Sequence, residues 1–282
     1  MFRRALSTAV FCLFVFGATL AVQGIWSALL VANLQTTAAL PWSVPVMAAL
    51  LWALWSYAGG RWGPARMQAF RARSLRAGQP PRAIFTKVLA AGMLGLGALV
   101  LLWTIIFELI SVPIAARADL GAYPLVTVIA VVTMASLVGA IVEEAGLRGY
   151  LLVRLQREVP GPLAIVTAAL VISPGHGATQ GFVWPVLLWY FLADVMFGAL
   201  ALVADSIRPG IVVHAIGLFI FFAFIWPADP SRTVISIDSA DASFWFSVAA
   251  FLGLAAASAA LLTKLAREYP RDGERKSNNR ST

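Results

Sequence analysis

Long apolar runs alternate with short polar breaks along the whole chain, and the runs set its architecture. Several reach the roughly 20 residues that a helix needs to cross a hydrocarbon core about 30 Å thick. The first follows Met1-Phe2-Arg3-Arg4 and continues with little interruption to about Val31. A signal-peptide core holds only about 7–15 apolar residues, so this run predicts a retained first helix. A second span is predicted over about Leu40–Tyr57, and a third over Ile84–Val112, where Pro113 ends it. The fourth starts near Tyr123 and keeps its helical pattern to Glu158, with Pro160-Gly161-Pro162 as a hard stop. Leu163–Ser173, Phe182–Ala204, Ile207–Trp226 and Phe244–Leu265 complete the series.

The pattern predicts an all-α fold: a polytopic membrane helical bundle of about eight transmembrane helices. None of the runs alternates apolar and polar positions, which excludes a transmembrane β-barrel. The expected organisation is a first helix over 1–34, helices two and three over 35–122 with a basic loop at 59–83, and a core over 123–227. A loop and last helix over 228–265 follow, then a disordered tail over 266–282. No internal repeat and no soluble domain stand out.

Composition supports the membrane assignment. Hydrophobic residues make up 60% of the 282 positions and charged residues 12%, against about 25% charged in an average soluble domain. The net charge of +8 follows from topology and needs no nucleic-acid partner. Lys and Arg collect in cytoplasmic loops of membrane proteins. Arg61, Arg66, Arg71, Arg73, Arg76, Arg82 and Lys87 fall in one break, and no acidic residue precedes Glu108. With eight spans, Arg3, Arg4, this loop, Arg148, Arg154, Arg157, Arg208 and the tail share one side; Arg117 and Arg232 lie on the other. Both termini are therefore expected in the cytoplasm, and the loop is expected to meet anionic lipid head groups. The single cysteine, Cys12, rules out an internal disulfide and a multi-cysteine metal cluster.

One stretch departs from the apolar pattern. Glu143, Glu144 and Arg148 end the fourth run, where ionised side chains are costly and usually paired or functional. Glu144 and Arg148 stand at i and i+4 and are expected to pair. Glu143 points about 100° away and is expected to lack a local partner. A positioned carboxylate of this kind can serve as a general base. The chain's two histidines, His176 and His214, lie in later apolar runs. Glu143 and His176 stand about 25 Å and 24 Å from the turn at Pro160, at ~1.5 Å per helical residue, so an antiparallel pair brings them level. Pro174, Gly175 and Gly177 are expected to break the helix beside His176. Asp194, in mid-span, is expected to orient His214 or to bond a neighbouring helix. Glu108 lies near the outer end of its helix.

Two chemistries use Glu143, His176 and His214. They could ligate a divalent metal such as zinc with an open fourth position. Alternatively Glu143 activates a water directly and a histidine stabilises the oxyanion. The residues leave this choice open. A proton pathway or transporter is a further use of buried Glu143, Glu144, Asp194 and the histidines, but no repeated halves accompany it.

Glu143-Glu144-x-x-x-Arg148-Gly149-Tyr150-Leu151-Leu152, with a histidine on the next helix and another two helices later, resembles the CAAX protease and bacteriocin-processing family of intramembrane endopeptidases. The resemblance covers about Val126–Phe222. It implies a membrane-embedded peptide hydrolase acting on a membrane-associated protein or peptide, in the plasma (inner) membrane of a bacterium. It further implies that Glu143 activates the water, that Glu144 and Arg148 support it, and that His176 and His214 complete the site. Two positions depart from the family's usual pattern. Ile172 stands where Phe is common, and Leu218 stands where Asn or Asp commonly helps to bind the oxyanion. Losing one such donor costs about 10²–10³ in rate. A non-catalytic membrane scaffold or immunity protein is the alternative that Leu218 favours.

Overall fold

The computed structural model describes residues 2–111, 120–225 and 233–269. The expectations placed on Pro113, Arg117, Arg232 and the tail beyond Tyr269 lie outside the described residues. The described residues are helical, with no strand among them. The helices are α1 (Phe2–Thr36), α2 (Ser43–Ala58), α3 (Ala65–Leu75), α4 (Arg82–Leu109) and α5 (Leu125–Glu143). A π-helical turn over Glu144–Leu151 joins α5 to the short α6 (Leu152–Leu155). Then come α7 (Gly161–Gln180), α8 (Trp184–Ala204), α9 (Arg208–Ile220) with a π-helical end over Phe221–Ile225, and α10 (Ala242–Glu268).

Among the described residues, six stretches are long and apolar enough to cross a membrane: Arg3–Thr36, Arg82–Leu109, Leu125–Leu155, Trp184–Ala204, Arg208–Ile225 and Ala242–Glu268. Ser43–Ala58 and Gly161–Gly177 are apolar but shorter. They correspond to the second and fifth of the eight spans expected. The basic loop contains a helix of its own, α3, running between Pro64 and a left-handed Arg76.

Burial in a bilayer gives helices little hydrophobic reason to associate, so close packing and interhelical hydrogen bonds carry the bundle. α4 lies against α10, α8 and α9; α5 lies against α9, and α7 against α8. Gly92 lets α4 come close to Val213 and Leu200, and Ser258 of α10 donates to the carbonyl of Ala91 at 2.8 Å. A second core joins α1 to the π turn and α7 through Cys12, Val15, Leu147, Leu151, Ile165 and Ile172.

One end of the bundle gathers most of the cations. Arg76 pairs with Asp205 at 3.2 Å, and Arg208 donates to the carbonyl of Ala77 at 2.8 Å. Arg154 donates to Thr8 at 3.0 Å, and Lys87 lies 3.7 Å from Glu268. The start of α1, the α2–α4 connection, the α8–α9 turn and the end of α10 therefore share this end.

The helix carrying His176 corrects one expectation. α7 runs without a break from Gly161 to Gln180 and takes Pro174 inside it. Pro174 removes one amide donor from the ladder, and the glycines beside it relieve crowding without ending the helix. A Cβ on Gly175 would fall 2.5 Å from the Phe16 ring of α1. Irregular backbone is found instead on the preceding element, in the π turn at Glu144–Leu151.

Candidate active site

The site begins where α5 changes pitch. In the π turn the amide bonds reach back five residues, so Leu152 N–H bonds to the carbonyl of Leu147. Such turns are frequent at functional positions. Two glycines make this one possible against close neighbours. Gly149 faces the carbonyls of Leu75 and Ser74, where a Cβ would sit 3.0 and 3.3 Å away. Gly146 faces Thr19 of α1, whose Oγ1 occupies the space of a Cβ.

Glu143 and Glu144 are sequence neighbours, yet both carboxylates reach His214. Glu144 Oε1 lies 3.1 Å from Nδ1, and Glu143 Oε2 lies 3.6 Å from Nε2. Glu144 is fully buried; Glu143 keeps about a fifth of its side chain exposed (19%). An ionised Glu144 can only accept, so it holds the proton of His214 on Nδ1 and turns Nε2 towards Glu143.

Arg148 ties the buried end together. Its guanidinium lies 3.5 Å from Glu144 Oε1 and donates to Asp194 Oδ1 at 2.5 Å. Arginine can do this because its fork carries five donors. Asp194 is thus placed on Arg148, and the carboxylate that orients His214 is Glu144. The expected Glu144–Arg148 pair is present within this larger network.

The expectation for Glu143 concerned only a local partner, and the partner it finds is on another helix. Gln23 of α1 donates Nε2–H to Glu143 Oε1 at 3.0 Å. Helix phase within α5 could not reveal a donor 120 residues earlier. The available signal was a single carboxamide side chain inside the first apolar run.

His176 stacks on Tyr190 of α8, with ring centroids 3.9 Å apart and planes 3° from parallel. It lies within electrostatic reach of Glu143, Arg148 and His214. His214 stacks on Phe197 with centroids 4.4 Å apart, and the Arg148 guanidinium lies 5.3 Å from the same ring. Tyr190, Asp194 and Phe197 stand at i, i+4 and i+7, so one face of α8 supports His176, Arg148 and His214 in turn. Tyr190 and Phe197 were not singled out from the sequence, although this spacing marks them.

Leu218, one turn beyond His214, packs over α5. Its Cδ1 would lie 2.8 Å from a Cβ on Gly139. Ile172, one turn before His176, is buried in the core that joins α1, the π turn and α7. Glu108 lies at the far end of α4, where its carbonyl accepts from Ile235 N–H at 2.8 Å. Among the described residues, no group of three or more His, Cys, Asp or Glu is arranged to hold a metal ion.

Residues 125–220 match the family model described as type II CAAX prenyl endopeptidase Rce1-like. The Rce1-like segment carries the resemblance. It contains Glu143, Glu144, Arg148, His176, Asp194, His214 and Leu218, and it leaves out α1 with Gln23. No curated protein and no solved structure matches the chain. The matched model describes an endopeptidase, which is a peptide hydrolase, and the segment it matches lies among helices long and apolar enough to cross a membrane.

Proposed function

We propose that the chain is an intramembrane endopeptidase that hydrolyses a peptide bond of a membrane-associated protein or peptide with a water activated by Glu143. The observation that carries this is the placement of Glu143 and His214. Their facing atoms stand 3.6 Å apart, too far for a direct hydrogen bond and suited to sharing a water. Glu143 takes a proton from that water as its oxygen attacks the carbonyl carbon. The carbonyl electron pair moves to oxygen, and a histidine N–H stabilises the resulting oxyanion. Collapse breaks the C–N bond, and the proton held by Glu143 passes to the departing nitrogen. His176, held against Tyr190, is the candidate for the oxyanion N–H, and His214, whose Nε2 faces Glu143 as an acceptor, is the candidate for the water contact. This route is written for Glu143 and the two histidines alone.

The gathering of cations at one end supports an orientation with that end cytoplasmic, and the bacterial plasma membrane is the location that the family resemblance implies. The test compares membranes containing the wild-type chain, Glu143→Ala or His214→Ala by labelling of new protein N-termini. The expected result is a set of termini present only with the wild type. Identical termini in all three would sink the proposal.

Leu218 favours a second function, a non-catalytic membrane scaffold or immunity protein, because it brings a hydrocarbon side chain to Gly139, one turn before Glu143. A cellular phenotype that survives Glu143→Ala would select it.

A further inference from the structure

We propose that Gln23 is a positioning residue for the hydrolytic water, delivered by α1 from outside the Rce1-like segment. This rests on the endopeptidase function proposed above. The geometry begins at Gly139, one turn before Glu143. A Cβ there would meet Leu218 Cδ1 at 2.8 Å and Gln23 Nε2 at 3.7 Å. The side chains of α1 and α9 thus converge on the same point of α5. α9 brings a hydrocarbon group, and α1 brings a carboxamide.

The carboxamide has a definite orientation. Its NH2 group faces Glu143 Oε1 at 3.0 Å, because a carbonyl oxygen turned to a carboxylate would repel it. Glu143 is thereby held by one oxygen while the other faces His214 Nε2 at 3.6 Å. An amide nitrogen carries two hydrogens and its carbonyl oxygen accepts. One hydrogen serves Glu143, and the rest of the group can contact the water or the developing oxyanion. A reacting group misplaced by about 1 Å can cost roughly 10²-fold in rate.

α1 is held in register for this task. Phe16 meets Gly175, the residue next to His176 in α7, and Thr19 meets Gly146 in the π turn. Gln23 follows one turn later on the same face of α1. A purely structural Gln23 would be an interhelical hydrogen bond, and its loss would loosen α1 without a selective effect on turnover.

The experiment uses the full chain in lipid nanodiscs and a reporter containing the bond that N-terminal labelling finds cleaved by the wild type but not by Glu143→Ala. Gln23→Met keeps the volume and removes the donor. The expected result is a kcat ten- to a hundredfold lower, with KM within twofold and an unchanged melting curve. Leu218→Asn in the Gln23→Met background should recover at least tenfold of that loss, since both side chains reach Gly139. An unchanged kcat in Gln23→Met overturns the proposal. So does a loss that appears only in the melting curve, or one that Leu218→Asn leaves in place. If no bond is cleaved by the wild type, the endopeptidase function fails and Gln23 falls with it; a cleaved reporter indifferent to Gln23→Met counts against Gln23 alone.

Discussion

Glu144 Oε2 occupies the place where a side chain at position 210 would begin: a Cβ on Gly210 would fall 2.6 Å from it. Gly210 lies in the first turn of α9, one turn before His214. The carboxylate therefore rests against the start of the helix whose histidine it holds, where amide dipoles favour negative charge.

Gly210→Ala is expected to push the Glu144 carboxylate off His214 Nδ1. Overpacking of this kind costs about 1–3 kcal/mol. Glu144 is pinned by both Arg148 and His214 and has little freedom to yield. Turnover should fall at least tenfold while the protein still inserts and folds. Steady-state kinetics beside a melting curve would check it, and unchanged kinetics would show that the carboxylate gives way at no functional cost.

The histidine–carboxylate pair makes a second prediction. Glu144→Gln keeps the size of the side chain but can present either an amide or a carbonyl to Nδ1. It should release the tautomer that an ionised Glu144 fixes. The expected result is a large loss of kcat with little change in folding. Nitrogen chemical shifts of labelled His214 would report the tautomer directly; an unaltered spectrum would contradict the role assigned to Glu144.

Much of this site was legible in the sequence, and the parts that were not share a physical cause. Glu143, Glu144, Arg148, His176 and His214 stood out because charge and imidazole are rare in apolar helices. The structure brings Glu143, Glu144 and Arg148 around His214 and puts His176 within electrostatic reach. Helix limits were readable because Pro124, Pro160 and the Ile207–Arg208–Pro209 turn punctuate the runs. The π turn was not, since one added residue per turn leaves no mark on apolar periodicity. Without it, Glu143 and Glu144 were assigned to separate faces, and the sharing of His214 between them could not be seen. Pro174 misled for the opposite reason. A proline suggests a break, but a helix with glycines on its crowded side can keep its course through one.

Arg148 bridges two buried carboxylates, so its charge and Asp194's should be strongly coupled. Removing one partner of a buried pair costs about 3–5 kcal/mol. Arg148→Met alone should leave Glu144 and Asp194 uncompensated and sharply reduce the folded yield. Arg148→Met with Asp194→Asn removes one of the stranded charges and should recover part of it. Folded yields and melting curves of the two singles and the double give the coupling. Strict additivity would mean that the 2.5 Å contact carries little energy.

The approach of α1 can be tested from both sides. Thr19 Oγ1 fills the space of a Cβ on Gly146 and is itself bonded to the carbonyl of Val15 at 2.9 Å, which limits its freedom to turn away. Gly146→Ala should therefore destabilise by about 1–3 kcal/mol and move α1 outward. Thr19→Ala removes the blocking oxygen, so the double variant should regain most of the loss. Failure of that rescue would mean that Gly146 is needed for the π turn's own backbone and not for α1.

The stack between His176 and Tyr190 yields the final prediction. The rings are nearly parallel at 3.9 Å, and a contact of this class is worth about 0.5–1.5 kcal/mol beyond area burial. Tyr190→Phe retains the ring and should keep turnover within about threefold of wild type, whereas Tyr190→Ala frees the imidazole. At about 1.4 kcal/mol per tenfold in rate, loss of the stack should lower kcat by up to roughly tenfold if it serves only to position His176. A much larger loss in Tyr190→Phe than this would show that the hydroxyl takes part, because the hydroxyl is the only group that variant removes. Equal turnover in wild type, Tyr190→Phe and Tyr190→Ala would instead remove His176 from the site, leaving Glu143 and His214 to carry the chemistry.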